Sequence, residues 1–140
     1  MDYLVKKILL PFDGSSHSKR GLEKAIYFAR QCQATITGLY VAYVPPKLVF
    51  EAVENIDSAT MKNINKFLED AKTLAAQNGI DFEHEVVHGN IGDKVLEFSN
   101  EWEYDLIVIG SKGAGSTNSY LGSVANYILE RSNVPVIVVK

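Results

Sequence analysis

Asp105-Leu106-Ile107-Val108-Ile109-Gly110 runs directly into Ser111-Lys112-Gly113-Ala114-Gly115-Ser116-Thr117-Asn118-Ser119-Tyr120-Leu121-Gly122-Ser123, and this stretch decides how the chain folds. The apolar run has no polar alternation, which marks a short strand covered on both faces. Beyond the glycines, Leu121, Val124, Ala125, Ile128 and Leu129 recur at helical spacing. Strand, tight loop and helix in that order make a βα unit of a parallel sheet.

The same pattern extends in both directions. Strands are expected at Val5 to Phe12, Thr35 to Val44, Asp81 to Val87, Asp105 to Gly110 and Val134 to Val139. Of these, the third alternates most clearly, with Phe82, His84 and Val86 on one face. Helices are expected from about Ser18 to Gln31, from after Ser58 to the stop at Asn78-Gly79, from the N-cap Asn90 onward, and up to Asn133 ahead of Pro135. One connection breaks the economy of short loops. Pro45 to Asp57 carries Leu48, Val49, Phe50, Val53 and Ile56, too apolar for a solvated linker, and is expected to fold back over the domain.

Composition narrows the class. The chain has 140 residues, 46% apolar and 22% charged, with a formal net charge of −3, as expected of one soluble domain over 1–140 with a sizeable core. The lone Cys32 excludes a disulfide framework and a thiolate zinc site and fits a reducing, cytoplasmic setting. Neither a signal peptide nor an apolar run of about 18 residues is present, so no membrane partner is expected. Mild acidity without a basic run argues against nucleic acid.

Ligands of open α/β sheets bind outside the carboxyl ends of the strands, where strand order reverses. Two such ends stand out. The stretch from Gly110 to Ser123 combines four glycines with several hydroxyls ahead of a helix, a pattern suited to cradling phosphate with backbone amides and the positive helix end. It is not a P-loop, because Ser116 stands where the lysine belongs, and Lys112 lies inside the loop instead. The dinucleotide spacing fails as well, since Asn118 replaces its last glycine. At the first strand end, Asp13 is either an acceptor for a ribose hydroxyl or base amine, or a turn or N-cap residue of the first helix. His84 and His88 lie four apart on a strand, more than about 10 Å by the usual rise, too far to share a metal. His17 is near enough to the site to touch a phosphate but reads first as a solvated residue at a helix start, and Glu101, Glu103 and Asp105 around Trp102 read as a solvated turn. No catalytic constellation and no metal-ligand set emerges.

Three segments carry a resemblance to a known family: KKILLPFDGSSHSKRGLEKAIYFA at the amino end, DLIVIGSKGAG in the middle, and LGSVANYILERSNVPVIVVK at the carboxyl end. Together they resemble a single-domain universal stress protein of the ATP-binding type. The family's nucleotide-binding pattern is G-x2-G-x9-G-[ST]; here Gly110, Gly113, Gly122 and Ser123 match, but only eight residues separate Gly113 from Gly122. The resemblance implies an open five-stranded parallel sheet in order 3-2-1-4-5 with helices on both faces, a Rossmann-like adenine-nucleotide fold. It implies phosphate and ribose contacts from Gly110, Gly113, Gly122, Ser123 and the Val124 amide, nucleoside contact by Asp13, a pocket wall at Pro11, and backbone contact of Val41 with adenine. The implied cofactor is ATP, with or without magnesium or manganese.

Four functions compete on this reading. The first is a nucleotide-binding stress regulator with little or no hydrolysis, supported by the missing P-loop lysine and the want of a base for an attacking water. An adenylating or ATP-cleaving enzyme would carry a second motif after strand one, and a phosphoacceptor domain would need an Asp where Val87-His88-Gly89-Asn90 stands. A dimeric interaction module without a nucleotide is the remaining alternative. A homodimer through Val134 to Val139 is expected, because this apolar run would otherwise leave an open sheet edge.

Overall fold

The computed structural model describes residues 4–44, 58–112 and 121–140. The expected cover by Pro45 to Asp57 and the residues from Gly113 to Tyr120 lie outside that range. Five strands and four helices alternate: β1 (Lys7–Pro11), α1 (Ser16–Cys32), β2 (Thr35–Tyr43), α2 (Ser58–Gln77), β3 (Phe82–Gly89), α3 (Ile91–Glu101), β4 (Leu106–Gly110), α4 (Ser123–Arg131) and β5 (Val136–Val139). All strand pairs are parallel, in the expected order β3-β2-β1-β4-β5.

Covered faces explain the continuous apolar runs. On β1, Ile8 and Leu10 join Leu22, Ala25 and Ile26 of α1 and Ile64 and Leu68 of α2, while Leu9 joins Val95 of α3 and Ala125 and Ile128 of α4. Ile8, Leu9 and Leu10 are all fully buried, as a central strand between two helical layers requires. Strand β3, at the sheet edge, exposes Glu83 and Glu85 between the buried Phe82 and the half-buried His84 and Val86, which is why it alternates.

Local chemistry sets the boundaries. The Ser15 hydroxyl accepts the Ser18 N–H and caps α1, and the Asn90 side chain accepts the Asp93 N–H and caps α3 as expected. Strand β3 continues to Gly89, beyond the expected Val87, because β2 remains beside it as far as Tyr43. Strand β5 starts at Val136 rather than Val134. Ser132 both accepts the Val134 N–H and donates to the Val134 carbonyl, forming a turn, and Pro135 has no N–H to offer.

Two expectations need correction. Leu121 precedes α4 and is 38% exposed, and Leu129 on α4 is 47% exposed, so the buried stripe of this helix is carried by Ala125 and Ile128. Asp105 is not a loosely solvated turn residue. Its carboxylate accepts the backbone N–H groups of Lys6 and Lys7 at 2.9 and 3.0 Å, tying the entry of β4 to that of β1. Glu103, two residues earlier, adopts a left-handed φ of 54° to make that turn.

Candidate functional site

Chain direction creates the site. From β1 the chain crosses to β2 on one side, while β4 lies on the other, so the carboxyl ends of β1 and β4 flank the switch point. A cavity of about 610 Å³ opens there. Seven of the eight residues singled out in the sequence line it: Pro11, Asp13, Val41, Gly110, Gly122, Ser123 and Val124. The eighth, Gly113, lies outside the described residues.

Val41 enters through register. Along β2, Thr35 donates to Lys6 and Leu39 accepts from Phe12, whereas Ile36 and Val44 donate toward β3. By this alternation the N–H and C=O of Val41 point toward the β1 side. The β1–β2 pairing ends at Pro11 and Leu39, so these two groups are directed beyond the paired part of β1, where Val41 lines the cavity. A donor and an acceptor from one peptide segment match the edge of a planar heterocycle.

Asp13 sits in a turn held from beneath. Its carboxylate accepts the Ser15 N–H at 2.9 Å, while Ser15 itself caps α1, so the turn alternative for Asp13 holds and the N-cap alternative does not. Gly14 adopts φ 80°, and a Cβ on it would meet the Phe67 ring at 2.7 Å. Phe67 packs on Phe12 and Tyr40 with ring centroids 5.6 and 5.8 Å apart, so α2 props the Asp13 turn. Burial, and after it the nearby Asp13 carboxylate, pushes the Tyr40 hydroxyl above the usual phenol pKa.

The glycines answer to packing as well as to any ligand. A Cβ on Gly110 would lie 2.7 Å from the His17 carbonyl oxygen in the first turn of α1, and Gly21 meets Gly110 from the same helix. A Cβ on Gly122 would lie 3.0 Å from the Ser111 carbonyl oxygen, to which the Gly122 N–H donates at 2.7 Å. This clasp fixes the start of α4 against the end of β4. With glycine as N-cap, α4 has no side-chain cap and no acidic residue in its first turn. Its first N–H groups and positive dipole end therefore remain available where Ser123, Val124 and Ala125 line the cavity.

Sequence reasoning missed Ser18, which is buried and lines the cavity, and Ile91, the first residue of α3. Neither carries a motif, and only tertiary placement brings them in. It also set Lys112 aside as misplaced, although Lys112 lines the cavity. His17 does not line it, and its ring nitrogen lies 2.6 Å from the Arg20 guanidinium. His84 pairs with Glu69 at 3.2 Å, and among the described residues no group of three or more His, Cys, Asp or Glu side chains could hold a metal ion. A second cavity, of about 670 Å³, lies at the opposite, amino-terminal ends of the strands between Lys7, Thr37, Glu85 and Trp102. It lacks the helix N-terminus and free strand-end backbone that the switch-point cavity gathers.

Comparison with known proteins decides the family. Residues 5–140 match the model of the universal stress protein family. The chain belongs to that family. Universal stress protein MJ0531 of Methanocaldococcus jannaschii is 32% identical over 98% of this chain and 83% of its own length. The universal stress protein UspA from Lactobacillus plantarum superposes with a TM-score of 0.84 at 25% identity, covering 99% of this chain and 100% of that one. A universal stress protein solved in complex with cAMP superposes at 0.76, also with 25% identity, covering 96% and 97% of the two chains.

Proposed function

We propose that this universal stress protein is a one-domain regulator that binds an adenine nucleotide, ATP in the first instance, at the switch-point cavity, with little or no hydrolysis. The observation that carries the reading is the convergence of Asp13, the Val41 backbone pair and the uncapped start of α4 on one cavity. Each suits a different part of the ligand. The Val41 donor and acceptor match an adenine edge, the Asp13 carboxylate matches ribose hydroxyls, and the α4 N-terminus matches phosphate. That a similar universal stress protein was solved in complex with cAMP supports an adenine nucleotide as the class of ligand. Magnesium or manganese would arrive with the phosphates, coordinated mainly by the nucleotide.

The residues present fit regulation better than turnover. Asp13, assigned to the ribose, is the one carboxylate in the described lining, which holds no imidazole, so no further group is placed to activate a water. A homodimer through β5 completes the proposal. The strand lies at the sheet edge, with Val136, Ile137 and Val138 only half-buried, and pairing with a second copy would cover both edges. The single, exposed Cys32 agrees with a reducing, cytoplasmic setting.

Nucleotide released by denaturing the freshly purified protein tests the reading. Adenine nucleotide in an amount comparable to protein supports it. A purified protein that carries none and takes up none from a mixture of nucleotides contradicts it.

A further inference from the structure

Lys112 is the one basic residue in the described lining of the switch-point cavity, and Asp13 is the one acidic residue. They stand on different walls, at the ends of β4 and β1. Lys112 forms no ion pair with a described residue, whereas Lys94, His84 and Arg131 each have a carboxylate partner.

Its backbone is held in place on both sides. Ser111 is buried, donates its N–H to the Val139 carbonyl at 2.8 Å and accepts from Gly122 at 2.7 Å. The Lys112 Cα lies 3.2 Å from the point where a Cβ on Gly122 would stand, beside the N-cap of α4. From there its four-carbon stem is long enough to reach the first turn of that helix, whose residues Ser123 to Ala125 line the same cavity. An ammonium group and the positive end of a helix thus share one wall, with no acidic residue in that first turn to balance them. An anion is the group that relieves this arrangement.

We propose that Lys112 is a specificity-determining residue that selects phosphorylated ligands over bare nucleosides, its ammonium pairing with the phosphate next to the ribose while the α4 amides hold the same group. The proposal rests on the adenine-nucleotide reading of the cavity. It assigns the charge that a P-loop lysine would supply to a residue on the opposite side of the loop. Because Lys112 is half-exposed, solvent screens part of the attraction, and the expected contribution is about five- to tenfold in affinity.

Calorimetry with AMP and with adenosine, at low ionic strength, tests this on the wild type, Lys112→Met and Lys112→Arg. The wild type binds AMP more tightly than adenosine. In Lys112→Met the AMP affinity falls about five- to tenfold and adenosine changes by less than about twofold. Lys112→Arg restores AMP binding, and added salt weakens AMP binding more in the wild type than in Lys112→Met. Thermal melting of the variants checks that the fold is intact. If Lys112→Met binds AMP as the wild type does, the role of Lys112 is overturned while the nucleotide site stands. If the wild type binds neither AMP nor adenosine, both the role and the site fall.

Discussion

Gly122 donates its backbone N–H to the carbonyl oxygen of Ser111 at 2.7 Å, joining the start of α4 to the end of β4. The glycine loop is one residue shorter than the family pattern it resembles. The clasp means that this difference falls between Ser111 and Gly122, leaving Gly110 on one side and Ser123 and Val124 on the other around the same cavity. The strand-end contacts and the helix N-terminus are thus separable from the length of the loop.

Gly110 and Gly113 are expected to fail differently. Gly110→Ala pushes a methyl group against the His17 carbonyl, a backbone atom with little room to move, and should lower stability by about 1–3 kcal/mol. Gly113→Val should keep the urea midpoint within error and weaken nucleotide binding by crowding the phosphates. Denaturant titration and calorimetry on both variants separate the two. Normal binding by Gly113→Val would reduce the loop to a connection.

Val138→Lys should convert a dimer into monomers. A lysine on the half-buried edge strand puts charge where a second copy of β5 would pair. Light scattering at micromolar concentration should give about twice the 15.5 kDa chain mass for the wild type and the chain mass for the variant. A monomeric wild type rules the interface out.

Alkaline pH should destabilise the fold through Tyr104. Burial raises its phenol pKa; the hydrogen bond to Thr37 opposes this, and the Glu83 and Glu85 carboxylates add to it. Folding therefore favours the protonated phenol. That contribution is complete below the ordinary tyrosine pKa of 10.0 and is lost as pH rises through the higher folded value. Urea midpoints measured from pH 8 upward should hold steady to about pH 10 and then decline, with a shallower decline in Tyr104→Phe. An equally steep decline in that variant would shift the effect to other groups, Tyr40 first.

How much of this was legible in the sequence depends on the range of the interaction concerned. Leu106 to Ile109 announced a strand buried on both faces because continuous apolar character has few other uses. Asn90 and Gly79 marked helix ends through local hydrogen-bond and φ requirements. Strand order, by contrast, came through resemblance, since periodicity says nothing about neighbours. The side chains of Leu121 and Leu129 were misread because a helical stripe does not reveal where the helix starts or which edge of it meets solvent. The backbone of Val41 is the clearest case of a site feature invisible to pattern. Its place beside the cavity arises because β1 stops at Pro11 while β2 continues to Tyr43, a difference in strand length that appears only once the two are in register.

On the proposed function, the Val41 backbone pair and the α4 N-terminus together form an adenine-nucleotide site. Calorimetric titration of the nucleotide-free wild type with ATP and with GTP tests it most directly. A guanine ring presents a reversed donor and acceptor order to the Val41 edge, so ATP should bind about tenfold more tightly than GTP, a difference of about 1.4 kcal/mol. Equal affinities for the two, or no heat with either, would contradict the account.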